Sequence, residues 1–132
     1  MIPLLLGAAP PASLEIRVEG LRSARGVIQL CLVRDAAHFP DCTGDPAAHK
    51  ATVAVGALPI RIEGLPSGDY AFALVHDENG NGKLDTMLGI PREGIAFSHD
   101  PRLAFGPPRF AAARFTLSGG SATEIVHMKY FL

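Results

Sequence analysis

Alternation of apolar and polar side chains, repeated in short runs, is the strongest constraint in this sequence. In the run from Leu14 to Glu19, Leu14, Ile16 and Val18 alternate with Glu15, Arg17 and Glu19. A period of two puts the apolar set on one face of an extended strand and the charged set on the other. Residues 26–34 (GVIQLCLVR) are mostly apolar on both faces and read as a central strand. Residues 51–56 and 58–64 follow as strands, with Pro59 at the start of its run, where a missing N–H is tolerated. Residues 69–76 (DYAFALVH) form the most apolar run. There, Tyr70, Phe72 and Leu74 share one face, and Ala71, Ala73 and Val75 share the other. A face of small side chains suits close packing against a neighbour. Residues 110–118 and 121–131 complete the set, joined at Gly119 and Gly120, a good hairpin turn.

These runs are short, and 14 Gly and 11 Pro punctuate them. Helix is expected only as a single turn near residues 45–49. About seven short strands with frequent turns predict an all-β fold, an antiparallel β-sandwich. At 132 residues the chain has the size of one domain, and a domain of this length can bury a core without staples. Residues 1–12 (MIPLLLGAAPPA) are apolar and small, like the later part of a secretory signal, but lack its basic start. They read as a remnant of an export signal or a disordered tail, and residues 13–132 as a single β-sandwich domain. The apolar start is too short to span a bilayer, and no other segment reads as transmembrane.

Two cysteines, Cys31 and Cys42, fit one disulfide in an exported chain. It would tether a loop to the end of a strand and contribute roughly 3 kcal/mol in the chain-entropy model. The alternative is two separate buried thiols. The spacing is not that of a cysteine metal site. Formal net charge is −1, no basic stripe occurs, and there are no Trp and only two Tyr. Neither the electrostatics nor the stacking surface of a nucleic-acid binder is present.

Residues 77–85 read DENGNGKLD. With Asp77 first, Asn79, Asn81 and Asp85 fall at alternate positions, Gly82 permits a sharp reversal, and Lys83 offers its backbone carbonyl. Glu78 would point outward. Calcium takes six to eight hard oxygen ligands, and a chain curling round it presents every second side chain inward. The glutamate that closes an EF-hand is replaced by Leu88, and no helices flank the run. Over these residues the loop is more similar to the D-x-D-x-D-G-x-x-D loops between strands of integrin-type propellers. Only Asp77 and Asp85 carry charge among the ligands, and Lys83 opposes it, so calcium would bind weakly. The competing reading is a Gly- and Asn-rich turn whose side chains cap their own backbone.

Residues 86–109 lack clean periodicity and carry Pro91, Pro101, Pro107 and Pro108. They read as a long, stiff loop, and long loops tend to be functional or mobile. His76, Arg92, Glu93, His99, Asp100 and Arg109 are the candidate ligand surface beside the 77–85 loop. The alternative is that His76 caps a strand end and the loop charges are merely solvated. No H-E-x-x-H and no G-x-S-x-G occurs, and Ser67, Ser98, Ser118 and Ser121 sit in turn-like contexts. No catalytic residue is assigned.

The motifs G-L-P-x-G-x-Y-A (Gly64 to Ala71), H-D-x-N-x-N-G-x-L-D (His76 to Asp85), G-x-P-x-E-G (Gly89 to Gly94) and G-P-P-x-F (Gly106 to Phe110) occur in this order. Together they resemble a bacterial family catalogued as domain of unknown function 2141, over nearly the whole chain from Ser13. The resemblance implies a periplasmic or secreted β-sandwich similar to immunoglobulin-like or transthyretin-like domains, and it supplies no settled activity. The expectation is an exported, non-enzymatic binding or accessory module, monomeric, whose weak calcium-type loop organises the adjacent long loop. Its partner would be an envelope protein, a glycan or a small ligand. A purely structural envelope protein without metal is the alternative, and a small hydrolase the least favoured.

Overall fold

The computed structural model describes residues 10–42, 44–82, 86–87, 90–103 and 106–132. Residues 1–9 of the expected signal remnant lie outside the described residues. The strands are β1 (Ala12–Glu19), β2 (Val27–Val33), β3 (His49–Ala54), β4 (Ile60–Leu65), β5 (Gly68–Asp77), β6 (Thr86–Met87), β7 (Ile90–Pro91), β8 (Gly94–Phe97), β9 (Phe115–Leu117) and β10 (Gly120–His127), with one helical turn, α1 (Phe110–Ala113), before β9. One sheet has the order β10-β1-β4, and a second the order β3-β2-β5-β8, with β9 also on β5. The short pair β6-β7 stands apart from both. Among the described residues no helix is long and apolar enough to cross a membrane.

The alternating runs become strands because each can bury one face. Leu14 and Ile16 of β1, Ile28, Leu30 and Leu32 of β2, Ile60 and Leu65 of β4, and Val126 of β10 join Tyr70, Phe72 and Leu74 of β5 in one core cluster. Side chains of both sheets thus meet in a common interior. Burying each large side chain stabilises the fold by about 1.5–3 kcal/mol. The other face of β5 is closed by a second, smaller cluster. Ala71 and Ala73 pack with Phe97 and Ala113, flanked by Phe39 and Phe110. Phe39 meets the Phe97 and Phe110 rings edge-on at 6.0 Å. The small side chains of β5 leave room for this aromatic cover, as their spacing suggests.

Three details depart from expectation. First, the pairing is not antiparallel throughout: β1 and β10 run parallel, in register from Ala12 with Gly120 to Glu19 with His127. A parallel pair needs a long connection. Here nearly the whole domain supplies it, so local alternation in either strand carries no sign of the pairing. Second, residues 110–118 are not one strand. Phe110–Ala113 turn as helix, only Phe115–Leu117 are extended, and the expected Gly119–Gly120 hairpin is absent because β9 pairs with β5 while β10 pairs with β1 in the other sheet. The Ala111–Ala113 run has high helix propensity, and the turn seats Ala113 against the small face of β5.

Third, the 86–109 stretch is not a continuous loop. β8 lies within it and pairs with the middle of β5, from Ala73 with Phe97 to His76 with Gly94. Buried Ser98 follows, its hydroxyl accepting the Phe72 N–H and donating to the Ala113 carbonyl. The helical turn expected at residues 45–49 is a single hydrogen-bonded turn, in which Asp45 Oδ1 accepts the Ala47 N–H at 2.9 Å. Cys31 and Cys42 are bridged, with Cα atoms 5.8 Å apart, and tie β2 to the loop that follows it.

Candidate functional site

β5 ends in His76 and Asp77, both completely buried polar residues at the end of an apolar strand. A buried carboxylate needs hydrogen-bond donors, and the loop supplies them. Asp77 Oδ1 accepts the Asn81 N–H at 3.2 Å, and Oδ2 accepts the Gly82 N–H at 2.8 Å. Asn79 Oδ1 accepts the same Asn81 N–H at 3.2 Å, and the Asp77 carbonyl accepts from Gly80. Gln29 Nε2 approaches Oδ2 at 3.5 Å from β2. The described part of the loop is therefore a turn capped by its own side chains. Lys83 and Asp85, the remaining expected calcium ligands, lie outside the described residues. Among the described residues no group of three or more His, Cys, Asp or Glu side chains is placed to hold a metal.

His76 is held from both ring nitrogens. Nε2 lies 2.8 Å from the Arg25 carbonyl and Nδ1 lies 2.7 Å from the Tyr130 hydroxyl. A carbonyl only accepts, so a neutral His76 carries its proton on Nε2 and accepts from Tyr130 at Nδ1. The Tyr130 oxygen in turn accepts the Arg22 N–H at 3.1 Å. Burial raises the Tyr130 pKa, which keeps its hydroxyl available as a donor. The chain Arg22–Tyr130–His76–Arg25 thus pins the β1–β2 connection to the end of β5.

Glu78 does not point outward as expected; it turns toward the same connection. Arg22 donates Nε and Nη2 to Glu78 Oε1 at 2.9 and 2.6 Å, Ser23 donates to Oε2 at 2.7 Å, and Arg25 reaches Oε2 at 3.3 Å. The Arg22 bond, then the Ser23 bond, depress the Glu78 pKa from 4.5 to about 2. Arg22 also donates Nη2 to the Arg92 carbonyl at 3.1 Å and lies 4.4 Å over the Tyr130 ring. One guanidinium therefore fixes Glu78 on one side and the backbone at Arg92 on the other. Between these two segments opens a cleft of about 260 Å³ lined by Glu78, Asn79, Arg92 and Glu93. Glu93 is buried, while Arg92 is exposed.

Two glycines permit this approach. A Cβ on Gly26, whose φ is +74°, would collide with the Asp77 carbonyl and the Glu78 backbone. A Cβ on Gly94 would lie 2.5 Å from the Tyr130 ring and 2.6 Å from Met128 Cγ.

The residues grouped by sequence as one surface are divided by β8. Arg92 and Glu93 precede that strand and line the cleft; His99 and Asp100 follow it. Its four residues span roughly 13 Å at about 3.3 Å each. Asp100 pairs instead with His127, Oδ2 to Nδ1 at 2.8 Å, and His127 Nε2 reaches Glu19 at 3.0 Å. The His99 N–H donates to Glu124 Oε1 at 2.9 Å. Arg109 stands at the start of α1 and takes no part in lining the cleft. Sequence reasoning missed Arg22, Ser23, Arg25 and Tyr130. The first three show only as a polar Arg-Ser-Ala-Arg run between two strands, which names no partner across more than fifty residues, and Tyr130 reads as part of the last strand run.

Among known protein families, the one described as "Uncharacterized protein conserved in bacteria (DUF2141)" matches residues 16–125. Comparison with curated proteins and with solved structures gave no match.

Proposed function

The chain belongs to the DUF2141 family of bacterial proteins, and from that membership we propose that it is an exported, non-enzymatic binding or accessory module built as an immunoglobulin-like or transthyretin-like β-sandwich. The sandwich assignment is supported by the interior shared between the two sheets. Tyr70 adds to it by donating its hydroxyl to the Pro66 carbonyl four residues upstream, at 2.6 Å, as in the tyrosine corner of immunoglobulin-type domains. Export to the periplasm or beyond is supported by the Cys31–Cys42 bridge, since disulfides persist in oxidising compartments.

The observation that carries the binding role is the Arg22 clamp. It holds Glu78 and the Arg92 backbone together, so the cleft between them needs no rearrangement to receive a ligand. Binding sites are usually pre-formed in this way. An envelope protein, a glycan or a small ligand is the partner class.

Calcium is the ion the 77–85 loop would take. Asp77 and Asn79 already turn three side-chain oxygens toward the loop amides, which is the inward arrangement a calcium loop needs, and Asp77 adds a negative charge. With so few charged ligands the affinity falls in the weak range of extracellular modules. Thermal melting in a calcium titration, with hydrogen exchange read over residues 86–109, tests this part. The expected result is a higher melting temperature and slower exchange at millimolar calcium. An unchanged melting temperature sinks the metal and favours a structural envelope protein.

A further inference from the structure

We propose that Asn79 is a self-modification site: its carboxamide is lost as ammonia and leaves a carboxylate at position 79, which charges the loop more strongly. The consequence for calcium rests on reading this loop as a weak calcium site.

The run Asn79-Gly80-Asn81-Gly82 places a glycine after each asparagine. The amide nitrogen that follows an asparagine can attack the side-chain carbon and close an imide ring. The usual obstacle is the side chain of the following residue, and glycine has none. All four residues are exposed, and a Cβ at Gly80 or Gly82 would meet nothing within 4 Å. The ring and the incoming water therefore both have room.

The step balances with water alone. The Gly80 N–H proton passes to solvent, its nitrogen bonds Asn79 Cγ, and the Cγ–Nδ2 bond breaks with Nδ2 leaving as ammonia. Water then opens the imide at either carbonyl, to aspartate or isoaspartate. A water is consumed, an ammonia is released, and nothing is oxidised or reduced.

The hydrogen bonds separate the two asparagines. Asn79 Oδ1 accepts the Asn81 N–H at 3.2 Å, which draws electrons from Cγ and stabilises the oxyanion formed during attack. The attacking Gly80 N–H meets only the neutral Asp77 carbonyl among its backbone partners, at a long 3.3 Å. The Gly82 N–H is instead held at 2.8 Å by the Asp77 carboxylate, whose charge opposes loss of a proton from that nitrogen. Asn79 is thus the reactive residue and Asn81 the protected one. Hydrogen bonds to a carboxamide lie near its plane, whereas a nucleophile enters across that plane, so contacts of the Asn79 amide leave the carbon open to Gly80.

An aspartate at position 79 has nearly the same shape and keeps an oxygen for the Asn81 N–H. It also sets a second carboxylate beside Asp77, and calcium affinity rises with ligand charge.

The test is peptide mapping by mass spectrometry of the full chain, incubated with chelator at mildly alkaline pH, folded or in urea. Electron-based fragmentation tells aspartate from isoaspartate. In the folded chain, conversion at Asn79 should outrun that at Asn81 by roughly tenfold or more, and in urea the two rates should be close. Equal rates in the folded chain overturn the proposal, as does faster conversion at Asn81. So does an Asn79 left intact in the folded chain while the urea sample converts, or a product that is isoaspartate alone. The substitution Asn79→Asp should bind calcium roughly tenfold more tightly than freshly purified wild type in calorimetry. Equal affinity, or no binding by either protein, overturns the consequence for calcium. Because conversion is read by mass with chelator present, it fails or succeeds separately from the calcium-dependent melt.

Discussion

Arg22 grips Glu78 with two N–H bonds to a single carboxylate oxygen, at 2.9 and 2.6 Å, although the two residues lie on different loops. The same guanidinium reaches the Arg92 and Leu132 carbonyls and covers the Tyr130 ring. Arg22→Ala removes all of these and leaves Glu78, whose side chain is only 12% exposed, to Ser23 and the longer Arg25 contact. We expect a loss of about 1–3 kcal/mol, the cost of removing a donor from a mostly covered charged group. Arg22→Lys keeps the charge but not the forked geometry, and should fall between wild type and alanine. Urea unfolding of the three proteins checks the order. Equal stability of wild type and Arg22→Ala would remove the clamp from the account.

Stability should fall at both ends of the pH range for separate reasons. Glu78 has a folded pKa of about 2 against an ordinary 4.5. A depressed carboxylate contributes stability above its unfolded value and loses it as pH falls toward the folded one. The acid limb therefore lies between about 4.5 and 2, and after solvent screening it is on the order of 1 kcal/mol. His127 works in the opposite sense. Its hydrogen bond to Asp100, then the Asp100 charge and more weakly Glu19, raise its pKa above 6.5. Its contribution is complete below 6.5 and is lost as pH rises through the raised value. Burial alone would raise Asp100, but the His127 backbone and ring bonds, with Lys129, outweigh it and lower its pKa. Unfolding midpoints across pH should show the acid limb shrink in Arg22→Ala. An NMR titration of the His127 ring should move back toward its ordinary value in Asp100→Asn. No movement there would mean that Asp100 does not set the His127 titration.

The alternating strands were legible because each records its own burial within a few residues. Leu14, Ile16, Ile60, Phe72 and Leu74 all face the core that their spacing implies. The Cys31–Cys42 bridge was legible as well, since it closes a short stretch. The parallel β1–β10 pair was not, because its register depends on two strands from opposite ends of the domain. β8 was hidden for another reason. Its four residues are too few for a period, and Gly94, Ala96 and Phe97 are all buried, so no polar face alternates with an apolar one. At the candidate site the sequence marked Arg92, Glu93 and the Asp77 loop. It could not mark Arg22 or Tyr130, whose roles arise only where distant loops converge.

Gly94 sits opposite Tyr130 with no room for a methyl group. A Cβ there would lie 2.5 Å from Tyr130 Cε2, 2.8 Å from Cζ and 2.6 Å from Met128 Cγ. The ring cannot step aside freely, because its hydroxyl bonds His76 at 2.7 Å and takes the Arg22 N–H, while the Arg22 guanidinium covers its face. Gly94 has no positive φ among its features, so the obstacle is contact rather than backbone strain. Gly94→Ala should therefore cost about 1–3 kcal/mol, the range for overpacking a well-filled site. Removing the ring should relieve most of that cost, so in a Tyr130→Ala background the same substitution should be much milder. The two changes should couple by about 1 kcal/mol or more in a double-mutant cycle. Met128 sets a floor on the residual penalty, because its side chain meets the new methyl group whether or not the ring is there. If Gly94→Ala costs as much without the ring as with it, Tyr130 is not what excludes a side chain at this position.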